Sequence, residues 1–245
     1  MFENILKGFS FIKQSFILIT KDGDLIKPSI YSIFTGILFT VIAGITIYLS
    51  RESIPAELVY ILVFLVLLGE YYISYFFTGM TAFLVYDYFK DGDATMSEAW
   101  TAAKKNALTL FYLSIVSAMV KIVIEDRDLK GAVAKASDIM QKHLLPIGVG
   151  EIAVGLVTGL LTIIGFIVAI VLGISIFGAM SSATGAILAI LIAAVIIVLV
   201  IALSMYVTTA YHTCLFLWAR DVEDAGAGVS GTVKPPAPIA NTLGV

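Results

Sequence analysis

Charged side chains are absent from residues 29–50 and 185–212. In the two other apolar tracts they are rare: residues 57–86 carry only Glu57 and Glu70, and residues 147–173 only Glu151. An α-helix rises about 1.5 Å per residue, so roughly 20 apolar residues cross a hydrocarbon layer of about 30 Å. Each tract meets that length, and the pattern predicts four membrane-spanning helices. Pro28 and Pro146 stand just before the first and third tracts, where proline suits the first turn of a helix.

Two further segments have a helical period with mixed polarity. In residues 1–27, Phe2, Ile5, Leu6, Phe9, Ile12 and Phe16 recur every three or four positions, with Glu3, Lys7 and Gln14 opposite, which predicts an amphipathic helix lying in the membrane interface. Phe11 and Leu18 break that face and predict a second contact with the chain's own spans. Polar residues interrupt the segment too often for the apolar core of a cleaved signal sequence. Residues 129–145 repeat the pattern, with Leu129, Val133, Ala136, Met140 and Leu144 on one side and Lys130, Lys135, Asp138 and Lys142 on the other. Between these parts, Thr95 and Glu98 have capping-box spacing and predict a short helix through Trp100.

Charge orients the spans. With four crossings, Arg51 is the only basic residue that must lie outside, and every other Lys and Arg falls on one side, the cytoplasmic one. Residues 107–120 are apolar for too short a run to predict a full span; they predict a segment that dips into the membrane. Five crossings, with 107–124 spanning, is the alternative, but it would place Arg127, Lys130, Lys135 and Lys142 outside and remove the bias. The fold class is therefore all-α, a polytopic bundle of four spans with two interfacial helices and both termini cytoplasmic.

The two halves echo each other as amphipathic helix, proline, span, turn and span. Ser74, Thr78, Lys90 and Asp91 match Ser204, Thr208, Arg220 and Asp221 at one offset, which suggests a parallel repeat of residues 1–94 and 125–220 within one transmembrane domain, 1–220. Residues 221–245 turn to Asp, Glu, Gly, Ala and Pro and predict a flexible tail.

Composition agrees with this class. Hydrophobic residues make up 60% and charged ones 13%, more apolar surface than a soluble fold of this length buries. A net charge of −3, with the lysines spread along membrane-flanking segments, gives no sign of nucleic-acid binding. The single cysteine, Cys214, excludes an internal disulfide and a cysteine-based metal cluster.

The chemistry-bearing residues are few. Nucleophile elbows, phosphate-binding loops and clustered metal ligands are missing from the sequence, so neither an enzyme nor a cofactor is expected. His143 and His212 are far apart, and His212 and Cys214 read as packing or interfacial residues. Two Lys-Asp-Gly-Asp tetrads, at 21–24 and 90–93, lack the further oxygen ligands of a calcium loop and predict turns, with Asp24 or Asp93 capping the next helix. Glu70 is the sharpest residue, because an ionised carboxylate at mid-span costs about 2.5–3.5 kcal/mol on insertion scales. It should face the protein interior as a polar clamp between helices. Alternatively it pairs with Lys121, or lines a polar path with Ser74, Tyr75 and Thr78. Gly36, Thr40 and Gly44 make a small-residue stripe on the first span, and Gly155 and Gly159 form a GxxxG step on the third, both suited to close helix packing.

Several stretches resemble a known family. Lys13-Gln14-Ser15, the run Lys21-Asp22-Gly23-Asp24-Leu25 to Pro28 and Ser32, Tyr75-Phe76-Phe77 to Asp91-Gly92-Asp93, and Ala210-Tyr211-His212-Thr213-Cys214-Leu215 are similar to the prokaryotic integral membrane proteins catalogued as domain of unknown function 6159. The resemblance covers most of residues 10–225 and implies a membrane architecture, with no catalytic motif and no activity. Members carry an extra apolar segment before the second amphipathic helix, for which Glu125 to Lys130 leaves no room.

The expected function is that of a non-enzymatic assembly or scaffold protein of the inner membrane, whose partners are the bilayer, copies of itself or other membrane proteins. A channel or transporter for a small solute or lipid, with Glu70 on the path, is the alternative.

Overall fold

The computed structural model describes residues 2–50, 55–93, 95–112, 145–180, 182–225, 236 and 240. Among these residues the chain is helical, without a strand. Four helices are long and apolar enough to cross a membrane, within Gly23–Ser50, Leu58–Asp91, Val154–Met180 and Ala183–Trp218. The predicted spans are thus present, and by length and composition this is an α-helical membrane protein. Arg51, Lys121, His143, all but the last residue of the helix expected at 129–145, and most of the tail lie outside the described residues.

Two compact units emerge, Met1–Ile26 with Leu145–Val245, and Lys27–Leu144. In the first, α1 (Phe2–Lys21) packs on α5 (Leu145–Met180) and touches α6 (Ala183–Ala225). Among the described side chains of α1, the buried ones are Phe11, Ile12, Ser15 and Leu18, while Phe16 is half exposed. Phe11 and Leu18, which signalled a second contact with the chain's own spans, thus lie on a buried face, and Phe16, on the apolar face read from periodicity, lies outside it. Phe11 meets Tyr211 edge-on, with ring centroids 5.3 Å apart, a geometry that aligns the positive ring edge with the negative ring face.

After α1 the chain turns through a short 3-10 helix, Gly23–Ile26, with Leu25 buried. The Asp22 carboxylate accepts from the Asp24 N–H at 2.9 Å, which forms the turn expected of the first tetrad.

Helices α5 and α6 form an antiparallel hairpin. Ser182 precedes α6, its Oγ accepting from the Gly185 N–H at 3.2 Å, which puts the turn between the tracts 147–173 and 185–212. Gly165 holds the helices together: a Cβ there would stand 2.5 Å from Val200 Cγ2. One turn away, Thr162 Oγ1 donates to the Thr158 carbonyl at 2.8 Å and lies 3.0 Å from Ser204 Oγ. Its single proton being used, Thr162 accepts from Ser204. Helix α6 continues to Ala225, past the expected tail boundary at 221.

In the Lys27–Leu144 unit, α2 (Lys27–Ser50) and α3 (Ala56–Asp91) make a second hairpin. At about 1.5 Å per residue the 36 residues of α3 extend well beyond a 30 Å hydrocarbon layer. The excess carries Asp87, Lys90 and Asp91. Gly92 ends the helix at φ 80°, its N–H bonded to the Tyr88 carbonyl at 3.1 Å. A left-handed residue closes helices in this way, and glycine adopts it without steric cost. The next helix, α4 (Met96–Lys105), is capped by Thr95, whose Oγ1 accepts from the Glu98 N–H at 3.4 Å and contacts Glu98 Oε2 at 2.5 Å. Half of the predicted capping box is formed: Thr95, not Asp93, caps the helix, and Glu98 Oε2 accepts from the Thr95 hydroxyl in place of its backbone N–H.

Beyond the Asn106 turn, residues 107–112 are again helical. Leu110 would be 3.5 Å from a Cβ at Gly79, and Phe111 meets Tyr72 edge-on at 5.7 Å. The described start of the segment expected to dip into the membrane therefore lies against α3. Residues 113–124, which decide between dipping and crossing, lie outside the described residues.

The units do not follow the halves 1–94 and 125–220: α1 joins the second hairpin, and the boundary of the second unit falls at Leu144.

Candidate functional site

The α2–α3 hairpin brings Glu70 to the small-residue stripe of α2. Both helices run from the same turn, and Gly36 and Glu70 are equidistant from residue 53. They meet: a Cβ on Gly36 would lie 2.9 Å from Glu70 Oε2. The Thr40 hydroxyl, one turn along α2, donates to Glu70 Oε1. The opposite exchange lies beside it, where the Phe39 ring occupies the space a side chain at Gly69 would need, with Cζ 2.5 Å from the Cβ position. Each helix thus gives a glycine to the other's large side chain.

Placing a carboxyl group in an apolar span is costly unless a donor meets it. Thr40 supplies that donor, and the glycine lets it come close. This is the clamp geometry among the readings open for Glu70. Lys121, the other partner considered, lies outside the described residues. On α3, Glu70, Ser74 and Thr78 recur every fourth residue and share a half-buried stripe, while Tyr75 is turned about 140° around the helix from Glu70. Of the residues considered for a polar path, three line up and Tyr75 does not.

The helix-packing glycines divide. Gly36 is buried against Glu70, whereas a side chain at Gly44 would have nothing within 4 Å. Gly155 and Gly159 are also open, with nothing within 4 Å of either Cβ position. Between them Val157 and Thr158 are turned inward and buried, and Thr158 Oγ1 bonds the Val154 carbonyl at 2.8 Å. The GxxxG step is therefore not used inside its own hairpin, where Gly165 and Gly173 approach α6 instead. Leu156, Leu160 and Ile163 stand exposed beside the step, leaving a shallow trough at the glycines.

The periodic pattern does not reveal the roles of Gly165, Gly69 and Thr40. Hairpin arithmetic can find them, since residues equidistant from a turn face each other in antiparallel helices. Cys214 is fully buried and His212 exposed beside Tyr211. No group of three or more His, Cys, Asp or Glu with metal-holding geometry occurs among the described residues.

No family model matches the chain, and no curated protein or solved structure matches it.

Proposed function

We propose that this protein is a non-enzymatic assembly or scaffold component of the inner membrane, and that it associates with a second copy or with another membrane protein through the Gly155/Gly159 face of α5. The observation that carries the reading is the open GxxxG trough, in a hairpin whose own close contacts fall elsewhere, at Gly165 and Gly173. Without a hydrophobic drive between helices in lipid, association rests on close backbone approach, and such a trough permits it. Multi-pass insertion with both termini cytoplasmic belongs to the same proposal, supported by the Lys and Arg distribution. Membership of the family catalogued as domain of unknown function 6159 is also part of it and adds no activity.

The test is native mass spectrometry of protein extracted into nanodiscs, comparing the wild type with Gly155→Leu/Gly159→Leu. A closed oligomer or a stable complex that the double substitution dissociates supports the reading. A wild-type monomer overturns it.

A channel or transporter for a small solute or lipid is the second reading. The Glu70, Ser74 and Thr78 stripe within a span favours it. Glu70→Gln separates the two: flux lost with folding intact supports transport, and flux unchanged removes Glu70 from any path.

A further inference from the structure

The Lys27–Leu144 unit contains a cleft of about 430 Å³ bounded by α2, α3, α4 and Ala107, a size within the range of sites that hold small organic ligands. Its floor is aromatic and braced. Trp100 of α4 meets Phe76 of α3 edge-on at 5.2 Å and 77°, Phe76 leans on Tyr72 at 6.2 Å, and Tyr72 meets Phe111 edge-on at 5.7 Å. Thr35 of α2 closes one side. Among the described residues, the only charged side chain lining the cleft is Lys104, which is exposed.

The lining of this cleft is mixed. Tyr72 and Phe76 belong to an apolar span, and so does Thr35, which lies about 12 Å along α2 from its start at Lys27. Lys104 belongs instead to α4, a helix with Glu98 in its first turn and Lys104 and Lys105 in its last. The cleft thus brings apolar side chains of two spans together with an indole and an ammonium. Indoles favour the headgroup level of a bilayer, and long lysine side chains reach outward from apolar surface to the same level.

We infer that the cleft binds an anionic phospholipid from the leaflet on the Lys104 side. An acyl chain lies along Tyr72 and Phe76, and the headgroup phosphate sits at the Lys104 ammonium. A peptide would bring backbone N–H and C=O groups that these walls leave unbonded, at a desolvation cost. A small soluble anion would make no use of the aromatic floor.

The chain has two tryptophans, so Trp218→Phe leaves Trp100, which lines the cleft, as the sole tryptophan, excited selectively over the tyrosines. That protein is reconstituted in phosphatidylcholine vesicles, into which brominated phosphatidylglycerol, brominated phosphatidylcholine or brominated oleate is titrated as quencher. Half-maximal quenching is expected at an about fivefold lower mole fraction of the glycerol lipid than of the choline lipid, the effect of one lysine near the surface. Lys104→Gln should bring the two curves together, and Lys104→Arg should keep them apart. Coincident curves in the Trp218→Phe protein, which need no second substitution, overturn the proposal. So does a preference that survives Lys104→Gln, or quenching by oleate without preference for the glycerol lipid, which would make the ligand a free fatty acid.

Discussion

Removing the Thr40 hydroxyl should weaken the α2–α3 hairpin, but only while Glu70 is present to receive it. Thr40→Val keeps the shape of the side chain and deletes the donor that bonds Glu70 Oε1. Interhelical side-chain hydrogen bonds in membranes average about 0.6 kcal/mol and reach about 1.7 kcal/mol. Glu70 is half-buried in an apolar span and closely backed by Gly36, which places this bond toward the upper value. Glu70→Leu removes the acceptor, and the double substitution closes the thermodynamic cycle. The assay is reversible unfolding in mixed micelles, with helix content as the readout. A coupling energy of about 1–1.7 kcal/mol between positions 40 and 70 is expected. Additivity within about 0.3–0.5 kcal/mol, the scatter of independent sites, would refute the clamp. Two glycines on the same helix supply a control. Gly36→Ala forces a Cβ to within 2.9 Å of Glu70 Oε2, whereas Gly44→Ala meets nothing within 4 Å. The first should cost about 1–3 kcal/mol as overpacking, and the second should be neutral or stabilise by up to about 1 kcal/mol through helix propensity.

Other substitutions probe the remaining contacts. Gly165→Ala should destabilise the α5–α6 hairpin by about 1–3 kcal/mol, and Val200→Ala should restore much of that loss in the same unfolding assay, because Val200 is the atom group the new methyl meets. Thr95→Ala should cost the capped end of α4 about 1 kcal/mol, seen as faster amide exchange in its first turn with α3 unchanged. Gly92→Ala, at φ 80°, should cost about 1–2 kcal/mol, and Gly92→Asn less, as measured by thermal unfolding. A double-substitution cycle on Phe11→Leu and Tyr211→Leu should show a coupling of about 0.5–1.5 kcal/mol for their edge-on pair.

The spans were legible because a bilayer imposes length and apolarity on any helix that crosses it, and residues 29–50, 57–86, 147–173 and 185–212 carry that mark in composition alone. Local signals were equally direct. Thr95 with Glu98, glycine in Lys-Asp-Gly-Asp, and the break before Gly185 each act through neighbouring residues. Packing was harder to read. Phe11 and Leu18 looked like defects in an amphipathic pattern because the pattern has one axis, while α1 is docked on a face chosen by α5 and α6. Gly155/Gly159 marked a face suited to close packing without saying against what, and the crossing inside the hairpin falls at Gly165, since a glycine stripe specifies that something can approach and not what does. Glu70 was identified by its cost, and its partner only by the register of the hairpin. The Lys104 cleft left no mark, because its walls come from residues far apart in sequence.

The grouping of α1 with the second hairpin also sets an order of events during synthesis. Residues 27–144 separate α1 from the helices it packs on, and at about 5–20 residues per second the ribosome needs roughly 6–24 s to make those 118 residues. Throughout that interval Phe11, Ser15 and Leu18 exist without their docking surface, while α2 and α3, both made within it, can pair with each other. Helix α1, made before either hairpin, is thus among the last to find its place, and until α5 and α6 arrive its apolar side must be sheltered by lipid or by a chaperone. A chain interrupted before residue 145 would release a closed hairpin with an uncovered N-terminal helix, a product for quality control to recognise.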